Sequence, residues 1–454
     1  MTEVAVGERC QVEITDLSHD GQGIGRCGAA VVFVPGALPG ERVLALVLRR
    51  VRHHWSARLD RIDQASPYRQ REPCILASRC GGCSLQHLQQ KAQEHWKRRS
   101  VIDALERLAG ISPAVESMIG APNGLGYRNR AIIPLERDPL GRVRCGYYRR
   151  NSHQIVNLNH CPVLDDRLDA LVAPIKADLA ATDWPIDRDC RHGGGLRHLS
   201  LRLGVRTGEL LITLISSHAA LPGLAELARV WLERWPALVG VCLNLQPLAT
   251  NLLMGSETRV VAGRGYVNEE FANLTYRIAA DAFFQVFTEQ AERVVPFLLR
   301  ELEQAQPAGF AIDAYCGQGT YSLPMAAAGW DVLGLEVSHR AVNLAQQNAR
   351  DNGLSDRCRF RSCDVAEGLA ESLPRADLLF VDPPRRGLAQ AVIQTVLQHP
   401  PRTLAYLSCD PASLARDLKE LVGSGPFSLV LVQPFDFFPH TSHVETLVVL
   451  RRSG

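Results

Sequence analysis

The chain has 454 residues, enough for roughly two to four domains. A composition of 46% hydrophobic and 22% charged residues excludes an intrinsically disordered polymer. No apolar run reaches the roughly 20 residues that a membrane span needs, so no membrane association is expected. The net charge of +2 hides an asymmetry: residues 1–160 carry 23 Lys and Arg against 15 Asp and Glu, and the remainder carries 27 against 33. A basic front joined to an acidic back predicts a polyanion partner for the front. Met1 to Gly7 lacks an apolar core of the secretory type, so the expected location is the cytoplasm, where the 13 cysteines stay reduced. Clustered cysteines then point to a metal or to chemistry rather than to disulfides.

Residues 1–63 read as a small OB-like β-barrel. Arg9 to Thr15, Ala30 to Val34 and Glu41 to Val47 are short strands. Asp20 to Gly25 and Pro35 to Gly40 between them are rich in turn residues. Arg49, Arg50, Arg52, His53, His54 and Arg58 follow, with Trp55 among them. Small barrels of this kind bind single strands, with cations on phosphates and aromatics under bases, so RNA contact is expected.

Residues 64–265 read as a central α+β domain. Cys74, Cys80 and Cys83 lie close together, and Cys161 stands far downstream. Four thiolates of this kind suit either zinc or an iron–sulfur cluster, and spacing does not choose between them. Ser84 to Ala109 has a helical pattern with a basic patch at Lys97, Arg98 and Arg99. Tyr127 to Arg130 and Arg142 to Arg150 set arginines among tyrosines, a mixture that suits stacking on splayed bases.

Residues 266–454 alternate strands with helices. Phe310-Ala-Ile-Asp-Ala-Tyr-Cys-Gly-Gln-Gly-Thr320 is a buried strand, a glycine turn and a helix start. Asp331 to Glu336 is a second strand ending in an acid that can accept ribose hydroxyls. The third glycine of the dinucleotide fingerprint is absent, because Ser322 stands there. Strands at Cys358 to Cys363, Asp377 to Asp382, Thr403 to Ser408 and Ser428 to Gln433 follow, and a last one starts at Val444. Such alternation predicts a doubly wound, Rossmann-like sheet with ligands at its carboxyl edge. The short final connection predicts an antiparallel last strand, which brings Glu445 near Cys409.

Asp313, Glu336, Asp364 and Asp382 fall at successive strand ends and together predict a pocket for S-adenosylmethionine. Arg385 follows Asp382-Pro-Pro where amino-directed enzymes commonly carry an aromatic, which argues against methylation of an exocyclic amine. Cys409 precedes a proline-started helix whose N-terminus is expected to favour thiolate. A methyltransferase needs such a thiol when its target carbon is unreactive, and uracil C5 is such a carbon. Thiolate addition at C6 activates C5, and a base then removes the C5 proton. Glu445 is the candidate base, with His440 and His443 as competitors.

Ser408-Cys-Asp-Pro411, Phe438-Pro-His-Thr-Ser-His-Val-Glu445, Asp382-Pro-Pro-Arg-Arg-Gly387 and Phe283-Phe-Gln-Val286 resemble the RNA uracil-C5 methyltransferases. The basic barrel resembles their TRAM domain. The resemblance implies that Cys409 is the nucleophile and Glu445 the base. It implies that Gln285, Tyr315, Thr320, Glu336, Asp364 and Asp382 bind S-adenosylmethionine. It also implies a [4Fe–4S] cluster on Cys74, Cys80, Cys83 and Cys161. Two positions depart from the family pattern: Phe287 stands where Asn is usual, and Thr320 where Asn is frequent. Barrel and cluster together are similar to the enzymes acting on 23S rRNA, so a monomer acting on that RNA is expected. The alternatives are the same chemistry on tRNA, a non-catalytic RNA-folding protein, and a nicotinamide oxidoreductase.

Overall fold

The computed structural model describes residues 4–453 apart from 249, 251, 306–308 and 424; the side chains of 302–305 lie outside the description. Five strands close the N-terminal barrel: β1 (Arg9–Leu17), β2 (Gly23–Cys27), β3 (Ala30–Val34), β4 (Arg42–Val51) and β5 (His54–Gln64), in the order β1-β2-β3-β5-β4. Val12, Ile14, Val32, Val34, Val43 and Ala45 fill it from alternate strand positions. Two of these strands correct the sequence reading. The glycine stretch from Asp20 is a turn only at its start, and Gly25 lies within β2, where a Cβ would stand 2.2 Å from Glu13 O. Glycine is there because β1 crosses too closely for a side chain. The basic run after Arg49 is the β4–β5 hairpin, with Arg50 over the Trp55 ring at 5.8 Å.

Next come α1 (Gln90–Ala104), β6 (Arg130–Arg137), β7 (Val143–Cys145), α2 (Asp166–Ala180), β8 (Leu196–Leu203), β9 (Leu210–Ser216), α3 (Leu224–Arg234), β10 (Leu238–Leu245) and β11 (Glu257–Gly263). The sheet order is β11-β10-β9-β8-β6-β7. The helix predicted from Ser84 starts at Gln90 and ends in a π-helical turn, Leu105–Ala109. Its apolar side is not packed on the central sheet. Val101 and Leu105 join the core built from Tyr406, Leu414 and Val448 of the C-terminal domain. Residues just after it run beside the last domain's edge, with Glu116 N donating to Val432 O and Ile119 N to Pro434 O.

A hairpin, β12 (Tyr266–Phe271) and β13 (Leu274–Ala279), leads into α4 (Thr288–Glu292) and α5 (Val294–Ala305). Then follow β14 (Phe310–Ala314), α6 (Ser322–Ala327), β15 (Asp331–Glu336), α7 (His339–Asp351), β16 (Cys358–Ser362), α8 (Val365–Ser372), β17 (Leu378–Val381), α9 (Gln390–Gln398), β18 (Thr403–Ser408), α10 (Pro411–Leu421), β19 (Phe427–Phe435) and β20 (Glu445–Arg452). The seven-stranded order is β16-β15-β14-β17-β18-β20-β19. Only β20 runs against the rest, as its short connection predicts. Chain direction across the sheet reverses between β14 and β17, which opens a crevice at their carboxyl ends.

Candidate active site

Read across the carboxyl edge, the site has two halves. On one side stand the ends of β16, β15 and β14. Tyr315, Gly317 and Gly319 all adopt positive φ (67°, 55° and 88°), which folds the backbone after β14 into a tight turn. Glu336 closes against this turn, accepting from Gly317 N at 3.2 Å and Ser338 N at 2.8 Å. Its carboxylate oxygens keep lone pairs for further donors. Gly317, Gln318, Glu336 and Ser338 line a cleft of about 840 Å³ whose opposite wall includes Met254 and Phe283. Thr320 lies on the turn and its carbonyl accepts from the buried Tyr276 hydroxyl. Asp364 is exposed and caps α8, accepting from Ala366 N at 2.8 Å.

Asp313 departs from the expected row of pocket acids. It is buried, and Ser322, the residue in place of the third glycine, donates its hydroxyl to it. Burial raises its pKa to about 8, with smaller contributions from Asp382 and Glu336. Asp313 therefore braces the turn from beneath.

On the other side stand the ends of β17 and β18 and the start of β20. Asp382 keeps a partly exposed face, and Gln285 Nε2 approaches its Oδ2 at 3.4 Å. The dense surroundings still push its carboxyl up to about 7. Ser408 pairs with Thr446 across β18 and β20, so Cys409 and Glu445 are the next step along the same ladder. Glu445 is 4% exposed, and its Oε2 has no hydrogen-bond partner. Burial first, and then Asp382, raise its pKa well above the carboxylate range; Arg385 opposes them.

Cys409 sits ahead of α10 as expected, but the thiolate is not favoured there. Burial, Glu445 and Asp382 together push its pKa up to about 12, and Arg385 offsets only part of this. Burial, with the two acids added to it, outweighs the nearby helix terminus. His440 and His443 are both held neutral, with pKa values lowered to about 4 by burial and neighbouring cations. Gln93 lies 3.1 Å from His440 Nδ1, and Arg385 Nη2 lies 3.1 Å from His443 Nε2.

A family profile described as tRNA (Uracil-5-)-methyltransferase matches residues 207–453, and a TRAM domain profile matches 3–50. An RNA methyltransferase of Parasynechococcus marenigrum, described as uncharacterized, is 49% identical over 98% of this chain and 96% of its own length. One from Nostoc sp., described in the same way, is 43% identical over 99% and 98%. The chain belongs to the tRNA (uracil-5-)-methyltransferase family. It is an S-adenosylmethionine-dependent RNA uracil-C5 methyltransferase. Its fold over the full length is similar to that of the Pyrococcus abyssi tRNA (uracil-54, C5)-methyltransferase solved with S-adenosyl-L-homocysteine. The TM-score is 0.74 at 24% identity, covering 97% of this chain and 99% of that one.

For a member of this family, the remaining sequence candidates fall out unevenly. Cys74, Cys80, Cys83 and Cys161 come within electrostatic reach of one another: burial and then the other three sulfurs push the Cys161 thiol up to about 12. Leu76 N donates to Cys74 Sγ and Gly82 N to Cys80 Sγ, each at 3.4 Å. Among the described residues, however, no group of three or more His, Cys, Asp or Glu stands in metal-holding geometry.

The arginine–tyrosine stretches are not the open stacking surface expected. Tyr127 is buried and Arg130 turns inward to Ala282 O and Met254 Sδ. Arg142 and Arg144 pair with Asp138 and Glu136, and Arg150 donates to Cys83 O at 2.7 Å. Lys97 is no surface cation either, being wholly buried against Asp436. Phe287, at the departure from the family pattern, packs on Tyr127 with ring centroids 5.0 Å apart. Arg385 was missed as a site residue; its place after Asp382-Pro-Pro was the available signal.

Proposed function

We propose that the chain methylates C5 of a uridine in 23S rRNA by a covalent route, with Cys409 as nucleophile and Glu445 as base. One observation carries the reading: a thiol and a buried, unpartnered carboxylate are neighbours at the carboxyl edge, beside Asp382. Glu336 and the Tyr315–Thr320 turn would hold the ribose end of S-adenosylmethionine, with Asp364 toward the adenine and Gln285 and Asp382 toward the reacting end. The bound donor supplies an electrophilic methyl group and leaves as a neutral thioether.

Cys409 gives its proton to solvent through its partly exposed face, and Sγ bonds to C6. The C5–C6 π pair moves to C5, which takes the methyl group. Glu445 then removes the C5 proton. That electron pair restores the double bond, and the S–C6 bond breaks to release thiolate. A cationic donor bound there would lower the pKa of the Cys409 thiol, and that of Glu445, from their raised ligand-free values, because opposite charge favours the anions.

The four cysteines are assigned to a [4Fe–4S] cluster. Their donor set supports this: four sulfurs near one another, amide N–H groups on two of them, and the Arg128 and Arg150 guanidiniums close by. The cluster would supply a cross-link between residues 74–83 and Cys161. A cytoplasmic monomer completes the reading.

A second reading, the same chemistry on tRNA, is favoured by the full-length fold likeness to a tRNA enzyme. Labelled methyl transfer to unmodified 23S rRNA and to unmodified tRNA separates them. 5-Methyluridine in 23S rRNA is expected; label confined to tRNA moves the substrate, and label in neither overturns the activity on both.

A further inference from the structure

Glu445 Oε2 has no hydrogen-bond partner, so the backbone leading into β20 bears on where the carboxyl group sits. The segment that delivers it, residues 436–444 between β19 and β20, is anchored at its first half from α1 and the loop before it, with further contacts from Asp436 N to Ile119 O, from the Tyr127 hydroxyl to Pro439 O and between Arg385 and His443. Lys97 Nζ donates to Asp436 Oδ1 at 2.6 Å and to Phe438 O at 2.9 Å, and both charged side chains are 0% exposed. Gln93 Oε1 accepts from His440 N at 2.8 Å, while its Nε2 donates to Leu88 O at 2.7 Å and Leu85 O at 3.1 Å. Ser84 N and Leu85 N, directly after Cys83, both donate to His440 O at 2.9 Å. His440 itself sits at φ 65°, a conformation that an ordinary residue keeps only when its surroundings impose it.

A buried ion pair is a poor source of stability, because desolvation offsets most of the attraction. Its use is to fix register. Here it ties a helix of the central segment to the loop that carries the candidate base, 339 residues away along the chain. On the reading of Glu445 as the base, we propose that Lys97 and Gln93 are positioning residues for proton removal from C5. They touch neither RNA nor methyl donor, and they act by holding the 436–444 segment.

The test uses the full chain with unmodified RNA. Gln93→Ala removes the acceptor of His440 N and leaves the Ser84 and Leu85 bonds to His440 O in place. Lys97→Met with Asp436→Leu removes the ion pair without stranding a buried charge, which keeps the fold intact. Single-turnover methyl addition and the covalent protein–RNA adduct on denaturing gels are read side by side, with melting temperature as the control. The expected result is adduct accumulation of about tenfold or more over wild type, with methyl addition within about twofold, because a displaced base slows only its own step. Wild-type adduct levels in the folded variants overturn the proposal, and so does an equal slowing of both steps. Glu445→Gln is the reference. If it traps adduct and the α1 variants do not, positioning fails and the base assignment stands. If it traps none at normal turnover, both fall.

Discussion

Cys409 and three of the clustered cysteines, Cys80, Cys83 and Cys161, are thiols whose pKa values the fold raises, yet their surroundings differ in kind. Around Cys409 the charged neighbours include two acids, Glu445 and Asp382, with the Arg385 cation opposing them. Around Cys83 and Cys161 the neighbours are other sulfurs, backbone amides and the Arg128 and Arg150 guanidiniums. A lone thiol facing acids suits transient attack followed by release. Thiols facing one another suit a shared cation that stays. The same side chain is therefore assigned two roles by its neighbours alone.

Breaking the first neighbourhood should have the largest effect. Cys409→Ser is expected to lower methyl transfer by about four orders of magnitude or more, since a serine hydroxyl is far less ionised than a thiol. Donor binding measured by calorimetry should stay within about twofold, since no bond to C6 is made before RNA arrives. Iron content should be unchanged. The mirror experiment is Cys83→Ser or Cys161→Ser, which should lose iron and sulfide and lower the melting temperature while Cys409 remains present. Iron at wild-type levels in those variants would remove the cluster assignment and leave the nucleophile untouched.

A smaller loss is expected one step later in the chemistry. Glu445→Gln should slow turnover about 10²–10⁴-fold, the usual span for a general base, with the defect falling on release of the adduct. The measurement is the burst of methyl addition against the steady rate. A burst followed by a stall places the defect at proton removal; a uniform slowing reassigns the base.

Legibility in the sequence followed the same division. The edge from β14 to β20 could be read because its candidate residues, Tyr315, Glu336, Asp364, Asp382, Cys409 and Glu445, sit at or within two residues of strand ends. Strand β15 at Asp331–Glu336 and strand β18 at Thr403–Ser408 lie where their apolar runs placed them. Lys97 could not be read this way. Lys-Arg-Arg on a helix looks like a solvated face, and only Asp436, distant in sequence, makes it a buried pair. Strand β2 was hidden for a related reason: Gly25 is dictated by the approach of β1, a tertiary fact that looks locally like a turn. The raised pKa of Cys409 was also illegible, since the helix start is local and the opposing carboxylates are not.

The reach of those carboxylates can be tested more gently through stability. In an unfolded chain Asp382 would lose its proton near its ordinary value of 3.8, and in the fold it does so at about 7. Between those values the native state holds a proton that the unfolded state has released, so the stability of ligand-free protein falls as pH rises from about 4 to about 7. Asp313 acts in the same sense up to about 8 and remains in the variant, so the slope should flatten only in part. Asp382→Asn is expected to raise the melting temperature at pH 8 by roughly a few degrees and to leave it nearly unchanged at pH 4. It should also weaken donor binding, and above about pH 7, where Asp382 is ionised, it should speed alkylation of Cys409, which loses one of the acids that add to burial in holding its proton. A melting shift that is equal at both pH values would mean that Asp382 is ionised in the ligand-free fold. The crowded-acid account of the chemical half of the edge would then fail, while the four-cysteine side would stand unaffected.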